Sequence, residues 1–469
     1  MIIKTFKILG ILISLYCSNE IESFQQPFWL LPVLYTFYLF VFRNNEKSIK
    51  GSPGLIALNI TMFCRYAIVP LVYYGTGITA TCAHDFDYIN ESIWLMLYEQ
   101  LCVFIAIEVT GKSNRHQYGG VVKVNSYGMG NKMGKEKVFF IISLILFLLL
   151  TAFFKDLASG FRVFTSGNFE GFFELEGLAP SSFIDNLIAI VWQMLSIWIY
   201  IYAVNTESRS YALDKNKMHI FRSILYSFIL ILLAFIDQTG LSRWFTIMNA
   251  STAIACLCKY YPMQKKTVLA IMGSPMVLLI AYATLIKNGG FELGSSDVNE
   301  SLANVFITDA FDSYFCGPVN VANALSAAHK YHTGVNNIAS DVLYTIPIIN
   351  HWIPRESVTL YINNLHAGRI TAYSNGDQIL PMIGEAYMYF GFILAPFFSV
   401  LSVFCIRWFD RRYKEDKSFL TFYYAFSGIW IGCMAMMLNF IICLAWFPVR
   451  IIPDYLILRY ANKLRKNDK

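Results

Sequence analysis

The stretch Asn375–Gly391, NGDQILPMIGEAYMYFG, lies where a long polar segment gives way to a hydrophobic run. Gly376 and Pro381 indicate a turn, after which the chain is apolar to about Ile406, long enough to cross a bilayer. Glu385 falls about one turn into this run, where a carboxylate is costly unless it faces a protein cavity or water. We therefore expect Glu385 at the floor of a polar chamber at a membrane surface. The alternative is a glutamate simply exposed at the interface.

The composition of the whole chain predicts a polytopic membrane protein. Of its 469 residues, 56% are hydrophobic and 14% are charged, and its mean hydropathy is +0.48. Soluble domains carry roughly 25% charged residues. One integral domain, residues 1–469, accounts for this composition. The net charge of +6 does not indicate nucleic-acid binding, because the basic residues follow a membrane topology.

Apolar runs of spanning length predict an all-α fold with about twelve transmembrane helices. They lie near residues 5–18, 27–42, 53–75, 92–110, 138–154, 184–204, 219–236, 243–261, 267–287, 382–406, 419–438 and 439–457. With the N-terminus in the cytoplasm, cytoplasmic segments hold 27 of the 37 Lys and Arg residues, and exoplasmic segments hold seven. This bias predicts that both termini are cytoplasmic.

The longest segment between spans is residues 288–381, between spans nine and ten, and we expect it to form a large exoplasmic helical loop. Short helices are predicted within Ser301–Phe315, Asn320–His332 and Asp341–Asn350, lying on the membrane as a lid. Asp309 and Asp312 share a helix face there, which favours a charge pair on the lid surface over a metal site.

Two further pairs of side chains could meet in space. Arg65 and Glu99 lie near the middle of neighbouring antiparallel spans and are expected to pair. A structural ion pair is favoured there over a proton or substrate relay. Cys82 and Cys316 fall in predicted exoplasmic segments and could form a disulfide, although two such cysteines are weak evidence for one.

Basic residues on the exoplasmic side favour a phosphate site, and the alternative for Arg243 is a side chain that extends to the lipid headgroups. Arg243 follows Thr239–Ser242 at the start of span eight, where main-chain amides and a guanidinium together suit an anion. Arg355, His366 and Arg369 cluster near the end of the long loop. Arginine forks at the lipid boundary suit a lipid-linked diphosphate.

Carboxylate, imidazole and aromatic groups complete the predicted site. Glu385 or His366 could deprotonate a sugar hydroxyl, and Tyr373, Tyr387 and Tyr389 offer flat faces to sugar rings or isoprenoid. Together with the arginines, these residues favour glycosyl transfer from a polyprenyl diphosphate on the outer face.

Three motifs resemble those of bacterial oligosaccharide repeat-unit polymerases, the O-antigen polymerases or Wzy family. They are GEAYMYFGFILAP at residues 384–396, Gly-Leu-Ser-Arg at 240–243 and INHWIPRES at 349–357. The resemblance implies a GT-C-like glycosyltransferase of the bacterial inner membrane with its active site facing the periplasm. Such an enzyme moves a growing glycan from undecaprenyl diphosphate onto a new lipid-linked repeat unit, as in lipopolysaccharide biosynthesis.

The resemblance also implies roles for individual residues. Arg243 and Arg369 would bind the substrate diphosphate, with Arg355 as a third candidate, and Glu385 or His366 would act as base or orienter of the acceptor hydroxyl. It implies no metal, no cofactor and no nucleotide sugar. Expected partners are the undecaprenyl-diphosphate-linked oligosaccharides and membrane lipid. Chain length is set either by this chain or by a separate regulator protein.

Other functions stay open at this point. A flippase or transporter of lipid-linked oligosaccharide would have internal repeats and paired broken helices, and the Arg65 and Glu99 pair is its best support. An O-antigen ligase would share the topology and the loop arginines but differ in its acceptor. An O-acyltransferase would place a histidine-centred site within its membrane helices. A purely structural membrane protein fits the clustered loop chemistry least.

Overall fold

A computed structural model describes most of the hydrophobic chain. It covers residues 2–42, 44–79, 88–112, 134–154, 183–235, 243–275, 307–308, 311–312, 314–345, 358–367 and 379–467. Within these ranges the regular structure is helical, without a strand. This part of the chain therefore has the all-α fold that its composition predicts.

The helices belong to two compact units. Unit 1 comprises Met1–Tyr118, Ser296–Arg411 and Gly428–Trp446, and unit 2 comprises Gly119–Ser295, Arg412–Ser427 and Phe447–Lys469. In chain order, the helices that begin in unit 1 are α1 Ile2–Asn19, α2 Leu30–Val41, α3 Asn44–Ile49, α4 (Pro53–Phe63, Cys64–Ile68 and Val69–Thr76) and α5 Ile89–Lys112. Those of unit 2 are α6 Lys135–Phe153, α7 Phe183–Asp214, α8 Met218–Phe235, α9 Arg243–Tyr260 and α10 at residues 265–275.

The second half of the chain returns to unit 1. Its helices are α11 Pro318–Tyr331, α12 Asn336–Tyr344, α13 Val358–Ala367, α14 Met382–Phe390, α15 Phe397–Glu415, α16 Leu420–Met434 and α17 (Phe440–Trp446, Phe447–Ile451 and Ile452–Asn467). The last three helices have residues in both units.

In the part of the chain that the structure describes, seven helices are long and apolar enough to cross a membrane, so the chain is a multi-pass membrane protein. They are Ile2–Asn19, Pro53–Thr76, Ile89–Gly111, Lys135–Phe153, Leu187–Asp214, Met218–Phe235 and Phe440–Arg465. Shorter apolar helices lie at Leu30–Val41 and Leu420–Met434. Seven spans and these two helices account for nine of the predicted runs, and the total of twelve stays a prediction.

The run 382–406 is not one continuous helix, contrary to the prediction. Helix α14 ends at Phe390, Gly391 has a φ of +76°, and a turn leads into α15 at Phe397. Glycine adopts this left-handed region without steric cost, so it ends the helix where hydropathy continues. The break exposes carbonyls, and two of them accept hydrogen bonds from side chains. Thr333 Oγ1 donates to Met388 O at 2.8 Å, and Tyr98 Oη donates to Ile393 O at 3.0 Å.

Arg65 and Glu99 form the predicted ion pair. Arg65 Nη2 lies 3.1 Å from Glu99 Oε2, and both side chains are fully buried. Tyr66 Oη donates to Glu99 Oε2 at 3.0 Å, and Ser399 Oγ donates to Oε1. Arg65 lies in Cys64–Ile68, a π-helical turn within α4, a distortion found often at functional sites.

Three glycines bring α4 and α16 into close contact within unit 1. A Cβ at Gly54 would lie 2.7 Å from Gly428 O, and a Cβ at Gly432 would lie 2.3 Å from Gly54 O. Gly428 and Gly432 have the small-xxx-small spacing that lets membrane helices approach closely. Helix α16 is therefore fixed against α4 by backbone contact.

Helix α11 does not lie on the membrane as a lid. Every residue from Pro318 to Ala327 is buried, and the helix packs against α5, α13 and α14. Asp312, just before it, is also fully buried and accepts a hydrogen bond from Tyr73 Oη, so it is not part of a surface charge pair. Asp309 lies outside the described residues. A sequence with Asn320 and Asn323 looks amphipathic, but here these polar groups are enclosed.

Unit 2 is built around aromatic packing. The Trp198 ring lies 5.4 Å from that of Phe139 and 5.2 Å from that of Phe419. Arg450, 5% exposed, lies in a second π-helical turn, Phe447–Ile451, and donates to Gln193 Oε1. Each unit thus has a buried arginine in a π-helical turn.

Removing one partner of the Arg65 and Glu99 pair should destabilise unit 1 strongly. Glu99→Ala leaves a buried guanidinium unpaired, and we expect a loss of about 3–5 kcal/mol in the free energy of unfolding. Thermal unfolding in detergent measures it, with Glu91→Ala, an exposed glutamate on the same helix, as control. Equal melting temperatures for the two variants would contradict a structural role. The double variant Arg65→Met/Glu99→Leu should recover much of the loss.

Candidate functional site

The first seven residues of the GEAYMYFGFILAP motif, 384–390, belong to helix α14, and Gly384 sets how closely that helix packs. A Cβ at Gly384 would lie 2.5 Å from the Cβ of Ala324 on α11. Real Cβ atoms do not approach so closely, so a larger residue at either position would push the helices apart. The glycine of the motif is therefore required by the crossing of α14 and α11.

Glu385 is fully buried, so it is not the glutamate exposed at the interface. Its Oε2 accepts a hydrogen bond from the main-chain N–H of Phe440 at 2.5 Å, and its Oε1 accepts from Ile441 N at 3.2 Å. The N–H groups at a helix start lack partners within the helix and carry partial positive charge. Glu385 thus caps the first turn of α17, with both oxygens engaged.

Asp410 has the same role elsewhere in unit 1. Its two oxygens accept hydrogen bonds from Gly54 N at 2.9 Å and Leu55 N at 3.0 Å, at the start of α4, and it is 1% exposed. The N-termini of two apolar helices are therefore capped by buried carboxylates from distant parts of the chain. This repetition identifies capping as a structural function of Glu385.

The two tyrosines of the motif have different surroundings. Tyr389 is 2% exposed and its hydroxyl donates to Asp341 Oδ2 at 2.5 Å, which ties α14 to α12. Its ring is not open to a sugar or lipid, contrary to the prediction. Tyr387 is partly exposed, and its hydroxyl lies 3.4 Å from Nε2 of His329, at the end of α11.

Tyr387 lines an open groove of about 330 Å³ in unit 1. We call it the outer groove, and its lining residues are Glu91, Trp94, Leu95, Leu325, Tyr387 and Phe392. Trp94 is 57% exposed and Phe392 is 52% exposed. Concave sites with apolar walls and a few polar groups are typical of ligand binding.

Aromatic contacts hold both ends of the groove. At one end, the Tyr88 ring stacks on His329 with centroids 5.2 Å apart. At the other end, Tyr98 stacks on Phe392 at 5.6 Å. The imidazole and the Phe392 ring are thus both held in place by neighbouring aromatic side chains.

The remaining predicted site residues are placed only in part. Arg243 begins α9 and His366 lies in the last turn of α13, but their side chains are outside the described part of the chain. Arg355, Arg369 and Tyr373 lie outside the described residues altogether. Convergence of these groups on one chamber stays a prediction.

Cys316 is a fully buried thiol rather than a group exposed on a loop. Its Sγ donates to Met437 O at 2.7 Å, and burial raises the pKa of the thiol to about 12. Cys82, its predicted partner in a disulfide, is outside the described ranges. Over those same ranges, no cluster of three or more His, Cys, Asp or Glu side chains could hold a metal ion.

No family model, curated protein or solved structure matches this chain. Sequence reasoning missed Glu91, Trp94 and His329. The sequence does carry a signal for Trp94, because tryptophan is enriched at the boundary between membrane and water.

The contact between Gly384 and Ala324 can be tested by exchange of one methyl group. Gly384→Ala should lower the free energy of unfolding by about 1–3 kcal/mol through overpacking, measured by thermal unfolding in detergent. Adding Ala324→Gly removes the opposing methyl group and should restore most of the stability. Gly273→Ala is the control, because a Cβ there meets no atom within 4 Å. A harmless Gly384→Ala, or no rescue by the second change, would refute the close crossing.

Proposed function

We propose that this protein is a glycosyltransferase of the bacterial inner membrane that polymerises undecaprenyl-diphosphate-linked oligosaccharide repeat units at the periplasmic face. The observation that carries the proposal is the position of the motif that resembles the polymerases. Its Tyr387 opens onto the outer groove, beside His329 and a carboxylate, Glu91. Aromatic faces with hydrogen-bonding groups are suited to sugar rings.

In this proposal the guanidinium groups of Arg243 and Arg369 bind the diphosphate, with Arg355 as a third contact. The leaving diphosphate gains negative charge as the glycosidic bond breaks, and arginine forks stabilise that charge. Of the two candidate bases we favour His366, because both oxygens of Glu385 already accept main-chain N–H groups. Glu385 then acts by positioning α17. A GT-C-like fold and a separate chain-length regulator belong to the same proposal.

One observation favours the flippase as second candidate. The span predicted at 382–406 is interrupted at Gly391, and α4 and α17 each contain a π-helical turn. Interrupted helices are common where transporters bind their substrates. The two functions differ in what accumulates when the protein is lost.

The surface polysaccharide of a deletion strain, separated on a gel, distinguishes the candidates. A product with one repeat unit per acceptor supports the polymerase, because single units are still exported and attached. Loss of all exported polysaccharide supports the flippase instead, and accumulated lipid-linked polymer supports the ligase. Wild-type ladders in the deletion strain would overturn all three.

Single substitutions then test the arginines. Arg243→Ala and Arg369→Ala should each abolish the polymer ladder while protein level and single-unit products persist, since diphosphate binding is lost. Arg459→Ala, at an exposed position on the predicted cytoplasmic side, is the control and should retain the ladder. A wild-type ladder in either site variant would remove that arginine from the site.

A further inference from the structure

The outer groove has a polar end and an apolar end. Glu91, Tyr387 and the neighbouring His329 bring a carboxylate, a phenol and an imidazole to one end. At the other end, Phe392 begins a turn whose next residues, Ile393 and Leu394, are 77% and 52% exposed. Such a surface matches a ligand that is itself polar at one end and apolar at the other.

The order of these groups along α5 agrees with the predicted membrane orientation. Glu91 lies in the first turn of the helix, Trp94 follows one turn later, and Tyr98 contacts the apolar turn. At 1.5 Å per residue, Glu91 and Tyr98 are separated by about 10 Å along the helix axis. The polar end therefore lies nearer the predicted exoplasmic surface, and the apolar end lies deeper.

The apolar end is held in a defined conformation. Tyr98 both stacks on Phe392 and donates its hydroxyl to Ile393 O at 3.0 Å. Irregular backbone at membrane depth is tolerated where its polar groups find partners within the protein. Tyr98 supplies that partner, and it keeps the apolar side chains turned outward beside the groove.

We propose that the outer groove binds one lipid-linked saccharide, with its isoprenoid chain against Trp94, Phe392 and Ile393. The sugar hydroxyls donate to the carboxylate of Glu91 at the polar end, beside Tyr387 and His329. The hydrogen-bonding groups at one end and the apolar side chains at the other set the direction of the ligand. The choice of a lipid-linked saccharide rests on the proposed function, whereas the amphipathic character of the groove does not.

Photocrosslinking tests where the isoprenoid chain lies. We would replace Phe392 with p-benzoylphenylalanine and, as the matched control, Phe37, which is 56% exposed on α2. The probe is the undecaprenyl-diphosphate-linked single repeat unit extracted from the deletion strain, radiolabelled and mixed into phospholipid vesicles with the purified full-length protein. We expect the label to crosslink at position 392 at least about tenfold more than at position 37.

Two outcomes would overturn the groove as a site for this ligand. One is equal labelling at positions 392 and 37, and the other is crosslinking to phospholipid alone at both positions. The added substitution Trp94→Ala should reduce labelling at position 392 by about tenfold, because it removes the largest apolar contact. Ile105→Ala, an exposed residue lower on the same helix, should leave the labelling unchanged.

Polymerisation by the same preparation separates this proposal from the proposed function. Trp94→Ala should raise the KM for the lipid-linked unit about tenfold with little change in kcat, since it weakens ground-state binding. If the wild-type protein crosslinks at position 392 but forms no polymer, the groove stands and the polymerase proposal falls. If it forms polymer without preferential crosslinking at position 392, and Trp94→Ala leaves KM unchanged, the groove proposal falls alone.

Discussion

Main-chain N–H groups at the start of a helix inside an apolar protein must find acceptors, and the architecture of unit 1 depends on how they do so. Glu385 accepts from Phe440 and Ile441, and Asp410 accepts from Gly54 and Leu55. A carboxylate matches both the hydrogen-bonding need and the positive end of the helix dipole. Each cap fixes the first turn of one helix to another helix, so the ends of α4 and α17 are set by buried acids.

Close contact between backbones supports the same arrangement. Gly54 and Gly432 lie against each other, and Gly384 lies against Ala324. Where no side chain intervenes, a helix cannot slide or rotate without a clash, so the carboxylate caps stay in register with the amides that they serve. The outer groove follows from this fixed packing, because Tyr387 lies one turn beyond Gly384 on the same helix.

Hydropathy and charge were enough to predict a helical membrane protein and the pairing of Arg65 with Glu99. Both inferences use properties that are local along the chain, such as the length of apolar runs and the depth of a charge within a span. The role of Glu385 was beyond such reasoning, because its partners lie about 55 residues away in sequence. Burial of Asp312 and of Pro318–Ala327 likewise depends on tertiary packing, which an amphipathic pattern cannot distinguish from a surface position.

The outer groove, too, depends on tertiary packing that the sequence pattern does not reveal. The tyrosines Tyr387 and Tyr389 look equivalent in sequence, yet one opens onto the groove and the other is enclosed on Asp341. Glu91 and Trp94 come from a helix almost 300 positions away from them. Sequence spacing could identify the motif, but only the packing of α5, α11 and α14 shows which of its side chains open onto the groove.

Because of the π-helical turn Cys64–Ile68, α4 does not have the geometry of one regular α-helix. A π-helical turn accommodates one residue more than an α-helical turn does, and each residue turns the chain by about 100°. A regular helical wheel drawn through Pro53–Thr76 therefore places Tyr73 and the residues near it at the wrong angle around the helix axis. The extra residue turns Tyr73 towards Asp312 while Leu58, before the distortion, keeps its own place in the core.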